Sequence, residues 1–292
     1  MPDLGREIQF GYFLVPNAAD PLIETALEVE RRGLDYVAIQ DHPYQRRYVD
    51  TWTLMPMIAA QTTSLKIFPD VANLPLRSPS MIAKASATLD LLSNGRFDLG
   101  LGGGAFWDAI EGYGGPLRSA GESLDALEEA IVIMRMIWSG ERGLRFSGTH
   151  YRLAGAHGGP IPSRRIGIWI GAFGPRALRQ TARIADGWIP SFRGDVEPMA
   201  EMTKRLDDAI VKADRDLDDV RRIMNVNGVI TDGPYESPLR GPVDHWADQL
   251  TDFAVTLGFD TFVFWADGAD QLPRFANDVV PLVRDQVASR RR

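Results

Sequence analysis

The sequence predicts an α/β protein, a (β/α)8 TIM barrel with one irregular excursion at about 143–165, in a single domain over residues 1–292. Three observations lead there. Short apolar runs rich in β-branched and aromatic residues alternate with longer segments of three-to-four spacing, eight times in succession. A length of 292 residues suits eight βα units in one domain. No stretch rich in Pro, Gly or Ser divides the chain.

The elements follow in order. The first strand reads IQFGYFL (8–14), and a helix over about 20–32 ends at Gly33. The second strand is YVAIQ (36–40), with a helix over about 52–63. The third is LKIFP (65–69), with a helix over about 79–92 closed by Asn94-Gly95, a pair that tolerates the left-handed turn ending a helix. The fourth is RFDLGLG (96–102). A long helix over about 120–139 starts with Ser119 and Glu122 in capping-box spacing. Its expected buried stripe is Leu124, Leu127, Ile131, Met134 and Trp138. A hairpin around RFSGTHYRL is expected in the excursion. IGIWIGA (166–172) and a helix over about 175–185 come next, then DGWIPS (186–191) with a helix over about 196–213. RIMNVNGVI (222–230) precedes a helix over about 242–257. DTFVFWA (260–266) and a helix over about 271–288 close the series.

Composition narrows the function. With 39 acidic and 32 basic residues the net charge is −7, so no nucleic-acid partner is expected. The run Arg290-Arg291-Arg292 reads as a solvated tail. There is no cysteine, which removes disulfides, thiolate metal sites and a Cys nucleophile and is compatible with the cytoplasm. His42, His150, His157 and His245 are scattered without metal-ligand spacing, so no metal is expected. No secretory pattern opens the sequence and no apolar run spans a bilayer, so no membrane association is expected.

In a barrel the chemistry belongs to the loops that follow the strands. After the second strand comes Gln40-Asp41-His42-Pro43; an Asp-His pair can move or hold a proton near neutral pH, and alternatively Asp41 caps a turn beside a surface histidine. After the third comes FPDVANLPLRSP (68–79), whose three prolines give a loop of set shape with Asp70 and Asn73 at the strand end; the alternative is a turn that only redirects the chain. DLGLGGGAFW (98–107) matches the dinucleotide pattern G-x-G-x-x-G/A, yet it follows the fourth strand, not the first strand of a doubly wound sheet. Its glycines either let a flat ring approach the main chain or form a tight barrel corner with core aromatics. After the fifth strand, Gly174 precedes Pro175 at a helix start, where amides near Arg176 suit an anion; helix starts are common in any α/β protein, so this stays a candidate.

The chain resembles the luciferase-like monooxygenase superfamily, in particular its deazaflavin-dependent oxidoreductase branch. The resemblance runs over nearly the whole chain. It is carried by YVAIQDHP (36–43), by the block from FPDVANLPLR to MIAKASATLDLLSNGRFDLGLGGG (68–104), by IWIGAFGPRAL with ADGWIP (168–190), and by GFDTFVFW (258–265). It implies a barrel binding coenzyme F420, with FMN as the alternative. It places the family's non-proline cis peptide at Asp70-Val71, a bulge with Ala72 and Asn73 behind the cofactor ring. Asp41 and His42 match the pair beside its redox end, with His42 as the proton donor or acceptor and Asp41 holding it or touching the ring. Gly102, Gly103 and Gly104 match the ring-passing glycines. Ala172, Phe173, Gly174, Pro175 and Arg176 match the phosphate loop. Two departures count: Ala105 stands where the deazaflavin-dependent sugar-phosphate dehydrogenases carry an acid, and a single histidine follows the second strand where bacterial luciferase has a pair.

The expectation is therefore an oxidoreductase passing a hydride between F420 and a small organic substrate. The alternatives are an FMN-dependent monooxygenase and a flavin-binding protein without turnover. Trp52, Phe106, Trp107 and Trp265 suggest an apolar substrate pocket, although aromatics are also ordinary core. The helix at 53–63 places Leu54, Met55, Met57, Ile58 and Ala59 around most of its circumference, which predicts a homodimer covering it; the alternative is that the long loop after the second strand covers it.

Overall fold

The computed structural model describes residues 3–268 and 270–292. In chain order the strands are β1 Gln9–Leu14, β2 Tyr36–Ile39, β3 Lys66–Pro69, β4 Ala72–Asn73, β5 Leu99–Gly102, β6 Leu144–Ser147, β7 Arg152–Ala156, β8 Ile168–Ile170, β9 Gly187–Trp188, β10 Arg221–Ile230, β11 Arg240–Gly241 and β12 Thr261–Ala266. The helices are α1 Leu22–Arg31, α2 Thr51–Gln61, α3 Pro79–Leu92, α4 Trp107–Gly112, α5 Ala120–Trp138, α6 Pro175–Ile184, α7 Val196–Lys212, α8 Val243–Leu257, α9 Gln271–Arg274 and α10 Val280–Arg290. The alternation matches the sequence expectation. The short β4, β11 and α4 are additions, because strands of two residues and a helix of six leave no periodicity to read.

The chain folds as two compact units, each assembled from separate stretches: residues 1–14, 21–38 and 172–292 form one, and residues 15–20 and 39–171 the other. In the first unit β12 lies between β1 and β10, parallel to both, and β9 pairs with β10. Its core is aromatic. Phe264 stacks on Phe275 at 4.4 Å and meets Trp246 edge-on at 5.5 Å. Buried Arg222 is paired with Asp207 and also donates to the Leu257 carbonyl at 2.8 Å. Gly258 ends α8 in the left-handed conformation, at φ 70°, which favours glycine.

In the second unit β5 lies between β4 and β8, all parallel, and Ile67 bridges to Phe97. Helices α3 and α5 pack together, with the Trp138 indole N–H donating to the Ala83 carbonyl at 2.8 Å. Ser119 and Glu122 form the expected capping box at the start of α5. The expected hairpin is present as β6 and β7. The Glu129 carboxylate of α5 fastens its connection by accepting from the amides of Thr149, His150 and Tyr151.

Four expectations need correction. Leu124 is only half-buried, and Ser123 takes the inner position because its hydroxyl donates to the Gly103 carbonyl at 2.9 Å. The closing helix is not continuous: Phe275–Val279 forms a π turn between α9 and α10. Pro281 has no N–H for the carbonyl one turn back, and the widened turn accommodates that loss. The basic tail is paired, Arg290 with Asp252 and Arg291 with Asp3. In α2, Leu54, Met55, Ile58 and Ala59 are already buried within the chain, so four of the five residues that motivated a covering partner need none; Met57 stays exposed.

Candidate active site

The loop after β2 and the bulge after β3 are tied together by one carboxylate. Asp41 is fully buried. Its Oδ2 accepts from the Asn73 amide at 2.9 Å and from the Trp52 indole N–H at 3.2 Å. Its Oδ1 is buried with no hydrogen-bond partner among the described residues. Burial pushes the Asp41 carboxyl above its ordinary pKa, against the Asn73 amide, the positive charge of Arg77 and the Trp52 indole. The peptide Asp70-Val71 is cis, as the resemblance implies. Beyond it, Asn73 sits opposite Gly102 in the β4–β5 pair, and the Asp70 amide donates to the Ile39 carbonyl at 2.7 Å.

His42 is half-buried, and burial lowers its pKa. Its ring stacks on Tyr44 at 5.4 Å and meets Phe106 edge-on at 5.3 Å. Tyr44 also contacts Phe106 and Tyr113. Burial, aided by the Asp41 charge, pushes the Tyr44 hydroxyl up to about 12. The neighbour of His42 Nδ1 is the Gln40 amide, at 3.2 Å, while the Asp41 carboxylate serves Asn73 and Trp52.

The glycine run is closely packed on the side a side chain would take. A Cβ on Gly102 would come within 2.6 Å of Val71 Cγ2, and one on Gly103 within 2.5 Å of Ser123 Oγ. One on Gly104, at φ +106°, would meet Pro75 and Trp107 at 2.8 Å. On the side each Cβ would occupy, the chain itself is the close neighbour, which is the tight-corner reading. Trp107 covers Gly104, and Phe106 is exposed.

The second unit thus brings together Asp41, His42, Trp52, Asp70, Val71, Ala72, Asn73, Gly102, Gly103, Gly104, Phe106 and Trp107. Trp52 differs from the pocket expectation in its contacts: its N–H serves Asp41, and its ring faces Phe97 and the Arg77 guanidinium. The remaining expected residues belong to the first unit. Ala172 is buried, and its carbonyl accepts from the Trp188 indole. Phe173 lies under the Arg193 guanidinium at 4.7 Å. Gly174 caps α6 in an extended conformation and Pro175 takes the first helical position, as expected. Trp265 stacks on Phe13 at 4.5 Å. Sequence reasoning missed Tyr44 and Tyr113. Tyr44 was within reach, two residues beyond His42, whereas Tyr113 had no local signal.

The fold is that of an α/β barrel, and the curated relatives it matches are oxidoreductases. The chain belongs to the luciferase-like monooxygenase family, whose model matches residues 8–236. Among curated relatives, the F420-dependent glucose-6-phosphate dehydrogenase of Kineococcus radiotolerans is 29% identical over 335 aligned positions, covering 96% of this chain and 98% of that one. The protein of that name from Microbacterium testaceum is 33% identical over 228 positions, covering 75% and 67%. Among solved structures, an F420-dependent secondary alcohol dehydrogenase in complex with an F420-acetone adduct has a TM-score of 0.84 at 18% identity, covering 96% of this chain and all of that one. The coenzyme F420-dependent tetrahydromethanopterin reductase from Methanopyrus kandleri has a TM-score of 0.81 at 18% identity, covering 94% and 99%. These likenesses show the fold, an α/β (β/α)8 barrel.

Proposed function

We propose that this oxidoreductase passes a hydride between coenzyme F420 and a small organic substrate, with His42 at the reacting oxygen. The observation that carries the reading is Asp41: one buried carboxylate joins the cis bulge at Asp70-Val71 to the loop that presents His42. The F420 dependence named for the curated relatives supports the choice of cofactor.

The residues fit such a group. Asp41 Oδ1 and Asn73 Oδ1 are buried acceptors without a donor, and a deazaflavin ring brings N–H groups to its edge. Asp41 and the bulge of Asp70, Val71, Ala72 and Asn73 would hold the ring, beside the backbone of Gly102, Gly103 and Gly104. Ala172, Phe173, Gly174, Pro175 and Arg176 supply an anion site at the start of α6. When bound, the cofactor supplies the carbon that gives or takes the hydride. His42, with Tyr44, Phe106 and Tyr113 around it, orients an apolar substrate and stabilises the charge on its oxygen. The exposed Ala105 offers no carboxylate, so glucose 6-phosphate is not the substrate of this proposal. A cytoplasmic location, with which the absence of cysteine is compatible, is part of the same reading; among the described residues no helix is long and apolar enough to cross a membrane. A homodimer stays in the proposal on the exposed Met57.

Fluorescence titration of the purified protein tests the cofactor. F420 is expected to bind at micromolar Kd or tighter and FMN more weakly. Equal or tighter FMN binding moves the reading to an FMN-dependent monooxygenase. At saturating F420, His42→Ala is expected to slow hydride transfer by about 10²–10⁴-fold with little change in F420 affinity. Binding without turnover by either reduced cofactor leaves a flavin-binding protein.

A further inference from the structure

We propose that Gln40 is a positioning residue that determines which ring nitrogen of His42 carries the proton, and that it leaves the proton on Nε2. This rests on the reading that places His42 at the reacting oxygen.

The geometry is local and held from several sides. Gln40 Nε2 lies 3.2 Å from His42 Nδ1. The Gln40 backbone is pinned where α2 begins, because its carbonyl accepts from Thr51 Oγ1 at 2.6 Å. The His42 carbonyl accepts from the Gln45 amide at 2.9 Å, closing a turn around the loop. The imidazole plane is held between the Tyr44 face, at an interplanar angle of 22°, and the Phe106 edge.

A neutral imidazole has one N–H and one lone pair. An amide N–H directed at Nδ1 requires the lone pair there, so the remaining proton is on Nε2. Burial of His42 favours this neutral form. Among the described residues no hydrogen bond joins the Asp41 carboxylate to Nδ1: its Oδ2 is engaged by Asn73 and Trp52, and its Oδ1 has no partner. His42 therefore meets the substrate oxygen as a neutral hydrogen-bond donor. A carboxylate at position 40 would invert this: Nδ1–H would point at the acid, and Nε2 would present a lone pair. Tyr44, stacked on the ring and held at about 12, does not titrate near neutrality.

The test reads the histidine directly, in protein without cofactor. Protein labelled with ¹⁵N-histidine contains four such residues, and loss of one signal set in His42→Gln identifies His42. A long-range ¹H–¹⁵N correlation at neutral pH is expected to show Nε2 protonated and Nδ1 bare. In Gln40→Glu the pattern should invert, and the apparent pKa of His42 should rise by about one unit or more, carrying the acidic limb of the rate profile with it. In Gln40→Met, which keeps bulk and removes the amide, the two tautomers should mix, and kcat should fall roughly tenfold at unchanged KM.

A wild-type spectrum with the proton on Nδ1, or a tautomer unmoved by both substitutions, overturns the proposal. Failure of the functional reading looks different. If Nε2 carries the proton as stated and His42→Gln transfers hydride at the wild-type rate, the role of His42 is wrong while its tautomer is right. If His42→Gln abolishes transfer but the tautomer is otherwise, Gln40 is not the positioning residue.

Discussion

Two aspartates, equally hidden from water, behave in opposite ways. Asp260 stands just before β12 and is surrounded by donors. Its Oδ1 accepts from Arg221 at 2.8 and 3.1 Å and from Thr261 at 2.8 Å. Its Oδ2 accepts from Arg6 at 2.7 Å and from the Arg222 amide at 3.3 Å. Asp41 stands just after β2, and one of its oxygens has no partner at all. Asp207, paired with Arg222, also keeps one oxygen without a partner, so the contrast lies in where Asp41 stands, beside Asn73, whose Oδ1 is unpartnered too. A satisfied acid at the leading end of a barrel strand ties chain segments together. In the proposed function, the half-satisfied one at the trailing end would accept from the cofactor ring.

The largest effect should come from breaking the satisfied member. Asp260→Ala leaves Arg221 and Arg6 without their carboxylate and is expected to cost about 3 kcal/mol, the low end for a buried ion pair because both arginines keep some water. Urea unfolding measures this, and F420 affinity of the folded fraction should be unchanged. A loss below about 1 kcal/mol would make Asp260 no more structural than Asp41.

A middle effect comes from the corner beside Asp41. Gly103→Ala drives a Cβ against Ser123 Oγ and is expected to cost about 1–3 kcal/mol. Adding Ser123→Ala removes that atom and should restore part of the loss in the same unfolding assay. If Gly103→Ala is neutral in stability yet abolishes F420 binding, the glycine serves a ligand instead of the corner.

Asp41→Asn should cost the fold nothing at neutral pH. The folded pKa of Asp41 is raised, so its contribution is most favourable below the ordinary carboxylate pKa and is lost as pH rises through the folded value. The uncharged variant should therefore be at least as stable as wild type at pH 7, and the advantage should vanish as pH falls below the ordinary carboxylate range. F420 affinity should drop in the same variant. A variant destabilised at pH 7 would place Asp41 beside Asp260 as a structural acid. The smallest effect is expected from Tyr44→Phe. With its hydroxyl held at about 12, Tyr44 stays protonated through any working range, and the pH–rate profile should not move.

Much of the fold was legible because it is written in local chemistry. The order of strands and helices follows hydrophobic periodicity, and the start of α5 follows from Ser119 and Glu122, which meet within a single turn. The position of the cis peptide was legible from its motif by resemblance. The closing helix was not, because the effect of Pro281 on the turn before it has no periodic trace.

The candidate site divides along the same line. The sequence by itself determined the residue types at the strand ends: an Asp-His pair, a proline-framed loop and a glycine run. Only the tertiary structure decided their partners. Asp41 turns to Asn73, 32 residues away, and leaves His42 to Gln40. Phe106 and Tyr113 join an aromatic group around Tyr44. The glycines make room for Val71, Ser123, Pro75 and Trp107. The physical reason is that a residue's chemistry is carried by its own side chain, whereas hydrogen bonds and steric contacts belong to pairs. A pair from separate loops exists only once the strands between them have set the distance.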